Sequence, residues 1–257
     1  MSYFDVIILG IIQGLTEFLP VSSSGHLVLA EHILKVKSSG VSFELAVHFG
    51  TLMSVLIYFR NDIIRLVQSL FVRGMDRERK MVFYLIIGTI PAGVAGVLFE
   101  DFFERAFSEP EMTSIMLMIT GLILIWTGFV RMGEENIGIW RALIIGIGQA
   151  IAIMPGISRS GSTISAGLFC KVKPVKAAEF SFLLSIPAIA GAIVFKIKEF
   201  SNVGQITLDH FLIGALFSFI FGLLAVYLLL DIVKRGKFKY FGIYCLVVGI
   251  FGLIYFM

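Results

Sequence analysis

Charged residues are scarce in this chain. Only 15% of its 257 residues are Asp, Glu, Lys or Arg, whereas 58% are hydrophobic and the mean hydropathy is +0.94. A soluble domain usually has about 25% charged and roughly 45–50% apolar residues. So little charge cannot cover a surface that faces water, which excludes the soluble, disordered and fibrous classes. The sequence therefore predicts an integral membrane protein, with the bilayer as its surroundings.

Cysteine is nearly absent as well. The two cysteines, Cys170 and Cys245, lie in apolar surroundings and provide neither a disulfide framework nor a zinc pattern. The net charge of +3 comes from basic residues clustered in loops between apolar segments, so no nucleic-acid partner is predicted. Gln13 and Glu17 interrupt the first apolar run, and for this reason no cleavable leader is expected.

Eight apolar regions organise the chain. A membrane helix needs roughly 20 mostly apolar residues, and six segments meet that requirement: 41–60, 81–99, 111–131, 176–197, 209–231 and 238–257. Regions 3–36 and 141–171 each consist of a short apolar run, a polar turn and a second short run. Irregular polar backbone at membrane depth is tolerated only inside protein or beside a wet cavity. We predict an all-α polytopic fold with six transmembrane helices and two re-entrant helix–loop–helix hairpins.

The distribution of basic residues predicts the orientation. With the 61–80 loop in the cytoplasm, fifteen of the 21 Lys and Arg residues fall on the cytoplasmic side. The outer side receives five: Lys35, Lys37, Arg105, Lys196 and Lys198. Both termini are then external, and the first hairpin enters the membrane from outside. The sequence predicts a multi-pass protein of the inner (cytoplasmic) membrane with a site that opens to the outer face.

The two hairpins align when the sequence is shifted by 136 residues. The matched pairs are Gly10 with Gly146, Gln13 with Gln149, Ser22 with Ser158, Ser24 with Ser160, and Gly25 with Gly161. The single membrane domain 1–257 then divides into repeats 1–131 and 132–257, each with one hairpin and three spans. Because each repeat crosses the membrane an odd number of times, the second repeat is inserted with inverted topology. Both hairpin tips then meet near the middle of the membrane. Chance similarity of two Gly/Ser-rich turns is the alternative explanation of this alignment. The sequence leaves open whether the protein forms a homodimer.

A carboxylate stands in the first hairpin. Gln13 and Glu17 are four residues apart and share one helix face. A carboxylate at the membrane centre costs about 2.5–3.5 kcal/mol on insertion scales, so it is usually paired or functional. A ligand or catalytic role for Glu17 is favoured over a purely structural ion pair with Arg159.

The turns predict an anion site. Each leads into a helix, at about Ser24 and Gly161, where serines cap the helix and the positive dipole end attracts anions. Arg159 adds a planar fork of donors that matches phosphate oxygens. The predicted phosphate-binding residues are Ser24, Gly25, Ser158, Arg159, Ser160, Gly161 and Thr163.

An acid beside a phosphate requires a counterion. A divalent cation bridging carboxylate and phosphate oxygens supplies one, and the oxygen ligands of Gln13 and Glu17 suit Mg²⁺ or Ca²⁺. No cluster of His and Cys favours zinc.

Four histidines are present, and one of them follows the first turn directly. His26 could act as nucleophile, general acid or base for Ser23. His48 lies in an otherwise apolar span, which favours a structural role, and His32 and His210 are interpreted as interfacial or loop residues.

Two motifs carry a resemblance to a known family. QGLTEFLPVSSSGH at residues 13–26 and PGISRSGST at residues 155–163 resemble the undecaprenyl-diphosphate phosphatases, the bacitracin-resistance membrane phosphatases. Many members have Glu where this chain has Gln13, which leaves Glu17 as the more secure metal ligand. The resemblance implies hydrolysis of a long-chain isoprenyl diphosphate lipid to its monophosphate, which recycles the carrier for cell-wall polymer synthesis.

Carried over to this sequence, the resemblance implies catalytic roles for Glu17, Ser23, His26 and Arg159. The attacking group is left open between Ser23, His26 and water, and Ser23 assisted by His26 is favoured.

Two other functions remain to be compared. Phosphatidic-acid-type phosphatases are excluded, because the chain has no Arg-Pro pair and Ser165 stands where their third motif requires His. A secondary transporter would share the inverted repeat and an anion site with Arg159, but it would not need Glu17 and His26 beside that site. A structural scaffold leaves the buried polar residues unexplained.

Overall fold

The computed structural model describes residues 1–36, 40–107, 109–200 and 207–257. Lys37 and the side chains of Lys196 and Lys198, which enter the orientation prediction, lie outside the described residues. Twelve α-helices occupy the described ranges, without a β-strand. They are α1 Tyr3–Phe18, α2 Ser23–Ile33, α3 Gly40–Tyr58, α4 Arg60–Ser69, α5 Asp76–Leu98, α6 Glu100–Phe107, α7 Pro110–Thr127, α8 Ile139–Ile151, α9 Arg159–Phe169, α10 Pro174–Phe200, α11 Leu208–Lys234 and α12 Tyr240–Phe256.

Several of these helices are long and apolar enough to cross a membrane. Among the described residues, α5, α7, α10 and α11 meet this condition individually. Helices α3 and α4 give a fifth candidate when they are counted as one span bent by 75°. Helix α12 is apolar but has only 17 residues. The predicted all-α, multi-pass membrane class is therefore confirmed.

Both interrupted apolar regions form a pair of helices joined by a short turn. Residues 19–22 separate α1 from α2, and residues 152–158 separate α8 from α9. Pro20 and Pro155 lie in these turns, where a proline cannot continue the preceding helix. The second helix of each pair begins one or two residues earlier than its expected start.

Serine side chains cap the second helix of each pair. Ser22 Oγ accepts a hydrogen bond from the Gly25 amide at 3.3 Å, and Ser158 Oγ accepts one from the Gly161 amide at 3.1 Å. Each cap satisfies a backbone donor that the helix itself leaves free. The same local design therefore stands at both turns.

Each helix pair packs against a helix from the other half of the chain. Helix α1 lies along α11, and α8 lies along α5. The contacts are close because they involve glycine: a Cβ at Gly14 would stand 2.6 Å from the carbonyl oxygen of Ser218, and one at Gly146 would collide with the backbone of Gly88. Small residues allow helix backbones to approach in this way in membranes. These contacts fix the positions of both turns.

Candidate active site

The two turns meet inside the protein. Ser160 Oγ, in the first turn of α9, donates a hydrogen bond to the carbonyl oxygen of Leu19 between α1 and α2, at 3.0 Å. In the opposite direction, the Gly156 amide donates to Ser24 Oγ at 3.4 Å. Residues that are 132 to 141 positions apart in sequence are thus brought into contact.

Helix α7 holds the second turn in position. Thr120 Oγ1 donates to the carbonyl oxygen of Gly156 at 3.0 Å and accepts from the Ser158 amide at 3.1 Å. Gly156 has φ +88°, and a Cβ there would collide with the carbonyl oxygen of Thr113, so only glycine fits. The residues just before Arg159 are consequently fixed.

Glu17 is the centre of the polar cluster at this junction. Its Oε1 accepts a hydrogen bond from Arg159 Nη2 at 2.7 Å, and its Oε2 accepts from Ser23 Oγ at 2.7 Å and from Gln13 Nε2 at 2.9 Å. The side chains of Glu17 and Arg159 are only 8% and 14% exposed. Breaking such a buried pair is strongly destabilising because it leaves one charge uncompensated. The structure thus brings together four of the predicted residues, Gln13, Glu17, Ser23 and Arg159.

Two polar atoms of this cluster have no partner among the described residues. Gln13 Oε1 and Arg159 Nη1 are both buried and form no hydrogen bond there. Buried polar groups in native proteins are nearly always paired, so an unpaired one requires an explanation such as a ligand. One acceptor and one donor are therefore available to a bound molecule.

The backbone before Ser23 adopts an uncommon conformation. Ser22 has φ 66°, in the left-handed region that non-glycine residues rarely adopt. Such a residue costs of order 1–3 kcal/mol and is maintained only by its surroundings, often at functional sites. The strain lies directly beside the hydroxyl that contacts Glu17.

The other predicted hydroxyls mostly have structural partners. Ser158 caps α9 and Ser160 joins the two turns, so both lie at the junction. Thr163 lies farther along α9, and its Oγ1 contacts the Arg159 carbonyl oxygen at 2.8 Å and Ser181 Oγ at 2.6 Å. The structure therefore directs the Thr163 hydroxyl between α9 and α10 rather than toward Glu17.

His26 is turned toward α12. Its Nδ1 donates to the Ser22 carbonyl oxygen at 2.8 Å, its Nε2 pairs with the Tyr244 hydroxyl at 2.8 Å, and the two rings are stacked. Both ring nitrogens are therefore engaged, and the hydroxyl of Ser23 is bonded to Glu17 instead. In this geometry Glu17, and not the favoured His26, is placed to accept the Ser23 proton.

His48 is a neighbour of Glu17 that the sequence interpretation treated as structural. Its Nε2 lies 4.0 Å from Glu17 Oε2, and the side chain is 33% exposed. A signal was available: His48 follows Glu44 by four residues, the spacing that singled out Gln13 and Glu17. That α3 approaches α1 closely enough to bring His48 to Glu17, however, could not be predicted from this spacing, because it depends on how the helices pack.

An apolar cavity lies beside the first turn and is lined in part by Leu19 and Val21. Its volume is about 500 Å³, and it reaches the His26 partner Tyr244. Its lining residues are Leu15, Thr16, Leu19, Val21, Ile232, Lys237, Tyr240, Phe241 and Tyr244.

Fold and site together define a class: a polytopic membrane protein that holds a buried acid, a hydroxyl and a guanidinium where two helical turns meet. The family model described as Bacitracin resistance protein BacA matches residues 6–251. The chain belongs to this family.

Curated relatives agree over nearly the full length. An undecaprenyl-diphosphatase of Korarchaeum cryptofilum is 42% identical and one of Syntrophotalea carbinolica is 42% identical; the matches cover 97% of this chain and 98% and 97% of the relatives. Undecaprenyl-diphosphatase 1 of Bacillus cereus is 41% identical over 97% of this chain and 96% of the relative.

Proposed function

We propose that this protein hydrolyses undecaprenyl diphosphate to undecaprenyl phosphate and inorganic phosphate. The reaction recycles the lipid carrier for cell-wall polymer synthesis and confers resistance to bacitracin. Family membership and the names of relatives that align over 97% of the chain support this function. The observation that carries it is the buried cluster in which Glu17 bonds both Ser23 and Arg159.

The cluster supports a role for each of its members. Ser23 Oγ attacks the terminal phosphorus as its proton passes to Glu17, 2.7 Å away; the anhydride bond breaks and undecaprenyl phosphate leaves. Water then attacks the phosphoserine; as the bond between phosphorus and Ser23 Oγ breaks, Glu17 returns its proton to Ser23 Oγ, and the atoms of the water leave as part of inorganic phosphate. Water activated directly by Glu17 is the alternative, and trapping of a phosphoserine distinguishes the two.

Arg159 is suited to hold the diphosphate. Nη2 is bonded to Glu17, while Nη1 is buried without a partner in the described structure. Phosphoryl transfer depends mainly on positioning and on stabilisation of charge. We assign Arg159 to the phosphate oxygens, together with the cap of α9 and residues at the starts of α2 and α9: Ser24, Gly25, Ser158, Ser160 and Gly161. Thr163 supports the start of α9 through its contact with the Arg159 carbonyl oxygen.

A divalent cation, Mg²⁺ or Ca²⁺, completes the proposal. The described residues contain no group of three or more His, Cys, Asp or Glu side chains that could hold a metal alone. Mg²⁺ is commonly bound through one or two carboxylates together with substrate phosphates, which fits Glu17 and the unpaired Gln13 Oε1. When bound, the cation would neutralise charge on the diphosphate.

The proposed architecture is an inverted repeat of residues 1–131 and 132–257 with six spans and two re-entrant hairpins. The helix packing supports it, since the first helix of each hairpin packs on a helix of the other repeat: α1 packs on α11, and α8 packs on α5. The excess of basic residues on the 61–80 side supports a site that opens to the outer face of the cytoplasmic membrane. Cysteines introduced near residue 35 should react with an impermeant reagent from outside only.

Two partners belong to the proposal. The apolar cavity beside Tyr244 suits part of the isoprenyl chain. Only 6% of the most apolar stretch of α5 is buried, so this helix offers a surface to lipid or to a second copy of the chain in a homodimer. Crosslinking in the membrane tests the homodimer.

Phosphate release from undecaprenyl diphosphate by the purified protein tests the proposal. We expect release that stops in the presence of a chelator, and Glu17→Gln should shift or abolish the dependence on the cation. Transport of the lipid without release of phosphate would instead identify a transporter. Release unaffected by chelator would remove the cation from the proposal.

A further inference from the structure

Two hydrogen-bond acceptors face each other beside the catalytic acid. His48 Nδ1 lies 2.8 Å from the carbonyl oxygen of Glu44, which can only accept, so Nδ1 carries the proton. In the neutral imidazole Nε2 then presents a lone pair. That atom stands 4.0 Å from Glu17 Oε2, which is also an acceptor. The pair becomes attractive when a proton on Nε2 or a bound cation lies between the two atoms.

Gln13 can supply a third acceptor at the same place if its amide is rotated. Its Nε2 donates to Glu17 Oε2 at 2.9 Å, while its Oε1 is buried without a partner in the described structure. Rotation of the amide exchanges the two atoms and costs no packing volume. A carboxylate oxygen, an amide oxygen and an imidazole nitrogen can therefore converge on one point.

The charges favour a divalent cation there. Glu17 is already compensated by Arg159 at 2.7 Å, so the site is close to neutral before substrate arrives. A diphosphate then adds several negative charges. A divalent ion compensates more of them than a single proton does, and it also accepts lone pairs from all three side chains.

We propose that His48 binds the divalent cation through Nε2, as a third protein ligand beside Glu17 and Gln13. The inference rests on the proposed function, because it concerns the cation of that same site. Metal-bound histidines usually donate their second ring N–H to a carbonyl or carboxylate, as His48 does to Glu44. His26 lacks this freedom because both of its nitrogens are engaged.

A nitrogen ligand changes which cations the site prefers. Oxygen-only sites suit Mg²⁺, Ca²⁺ and Mn²⁺, whereas an added imidazole shifts the preference from Mg²⁺ and Ca²⁺ toward transition-metal ions, of which Mn²⁺ binds least strongly. We therefore expect Mn²⁺ to bind more tightly than Mg²⁺, and to lose this advantage when His48 is replaced.

Mn²⁺ itself is the probe for the test. Full-length protein in nanodiscs is loaded with Mn²⁺, alone and with methylenediphosphonate, and pulsed electron paramagnetic resonance detects nitrogen coupled to the ion. Wild type should show imidazole nitrogen, and His48→Gln should lose it and bind Mn²⁺ at least roughly tenfold more weakly. His32→Gln is the matched control, because His32 makes the same Nδ1 contact to the carbonyl oxygen four residues before it, Val28, at 2.9 Å. The His32→Gln protein should retain both the imidazole coupling and the Mn²⁺ affinity of the wild type.

Labelling with ¹⁵N-histidine provides a readout that needs no variant, since the coupling frequencies of the wild-type ion must change. Bound Mn²⁺ without imidazole coupling, no bound Mn²⁺, or coupling that persists in His48→Gln would each overturn the proposal. Phosphate release is measured on the same preparations. Release without nitrogen coupling removes His48 as a ligand and leaves the proposed function intact, whereas no release from undecaprenyl diphosphate removes the proposed function itself.

Discussion

The two turns at the centre of this protein share a scaffold and differ in chemistry. In each, a serine caps the second helix by accepting from a glycine amide three residues later. Ser22 reaches its cap with φ 66°, whereas Ser158 has an ordinary extended backbone at φ −73°. The first turn therefore stores strain beside the hydroxyl of Ser23, the proposed nucleophile, whereas the second leads into Arg159 without such strain.

The two buried glutamines extend the comparison. Gln13 donates to Glu17, four residues farther along α1. Gln149, its counterpart in α8, is only 2% exposed and has neither amide atom paired within the described residues. Four residues beyond Gln149 stands Ile153. The first hairpin thus pairs its glutamine amide with an acid, whereas the second has no acid at the matching position. This difference fits a division between a reacting half and a binding half.

Removal of the guanidinium should have the largest effect. Arg159→Ala leaves Glu17 buried without its counter-charge, a loss of about 3–5 kcal/mol, or roughly two to four decades in rate if it is expressed at the transition state. Arg159→Lys keeps the charge but not the fork and should recover only part of this. Phosphate release measures both. Near-normal turnover in folded Arg159→Ala protein would contradict the role of the second turn.

The hydroxyl of the first turn should come next. We expect Ser23→Ala to lose about a hundredfold or more in kcat, because the oxygen proposed to attack the phosphorus is gone. Ser24→Ala removes a contact between the turns and should lose only about fivefold, near 1 kcal/mol. Equal losses of kcat in the Ser23→Ala and Ser24→Ala proteins would contradict a special role for Ser23.

The cavity behind the first turn should affect long substrates selectively. Leu15→Trp fills part of the space, and we expect kcat/KM for undecaprenyl diphosphate to fall about tenfold, near 1.4 kcal/mol. Farnesyl diphosphate should be hydrolysed almost as before. The control is Leu224→Trp, whose leucine is 44% exposed on the outer face of α11. An equal loss for both chain lengths would exclude the cavity as a chain site.

The smallest effect should come from the unpaired glutamine. Gln149→Leu removes two buried polar atoms that lack partners and should raise the free energy of unfolding by about 1–3 kcal/mol with unchanged turnover. Gln13→Leu, at the matched position, should instead reduce activity because it removes a contact to Glu17. Thermal unfolding in nanodiscs measures the stability of both. A destabilised Gln149→Leu protein would reveal a partner for that amide.

Local features of the sequence predicted much of this molecule. The apolar runs predicted the helices, Pro20 and Pro155 marked the turns, and the i,i+4 spacing placed Gln13 with Glu17. The direction of side chains across helix contacts could not be predicted, because it depends on which helices pack together. His48 approaches Glu17 only through the position of α3, His26 is drawn to Tyr244 on α12, and Thr163 is drawn to Ser181 on α10.

A double-mutant cycle tests whether the two turns act on one substrate. Turnover is measured for Glu17→Gln, Arg159→Gln and the double variant, with wild type as reference. Since the two side chains are 2.7 Å apart, we expect the double variant to lose little more than the weaker single variant, a coupling of at least about tenfold. Losses that simply multiply would mean that Glu17 and Arg159 act independently, and would contradict a shared site at the meeting of the turns.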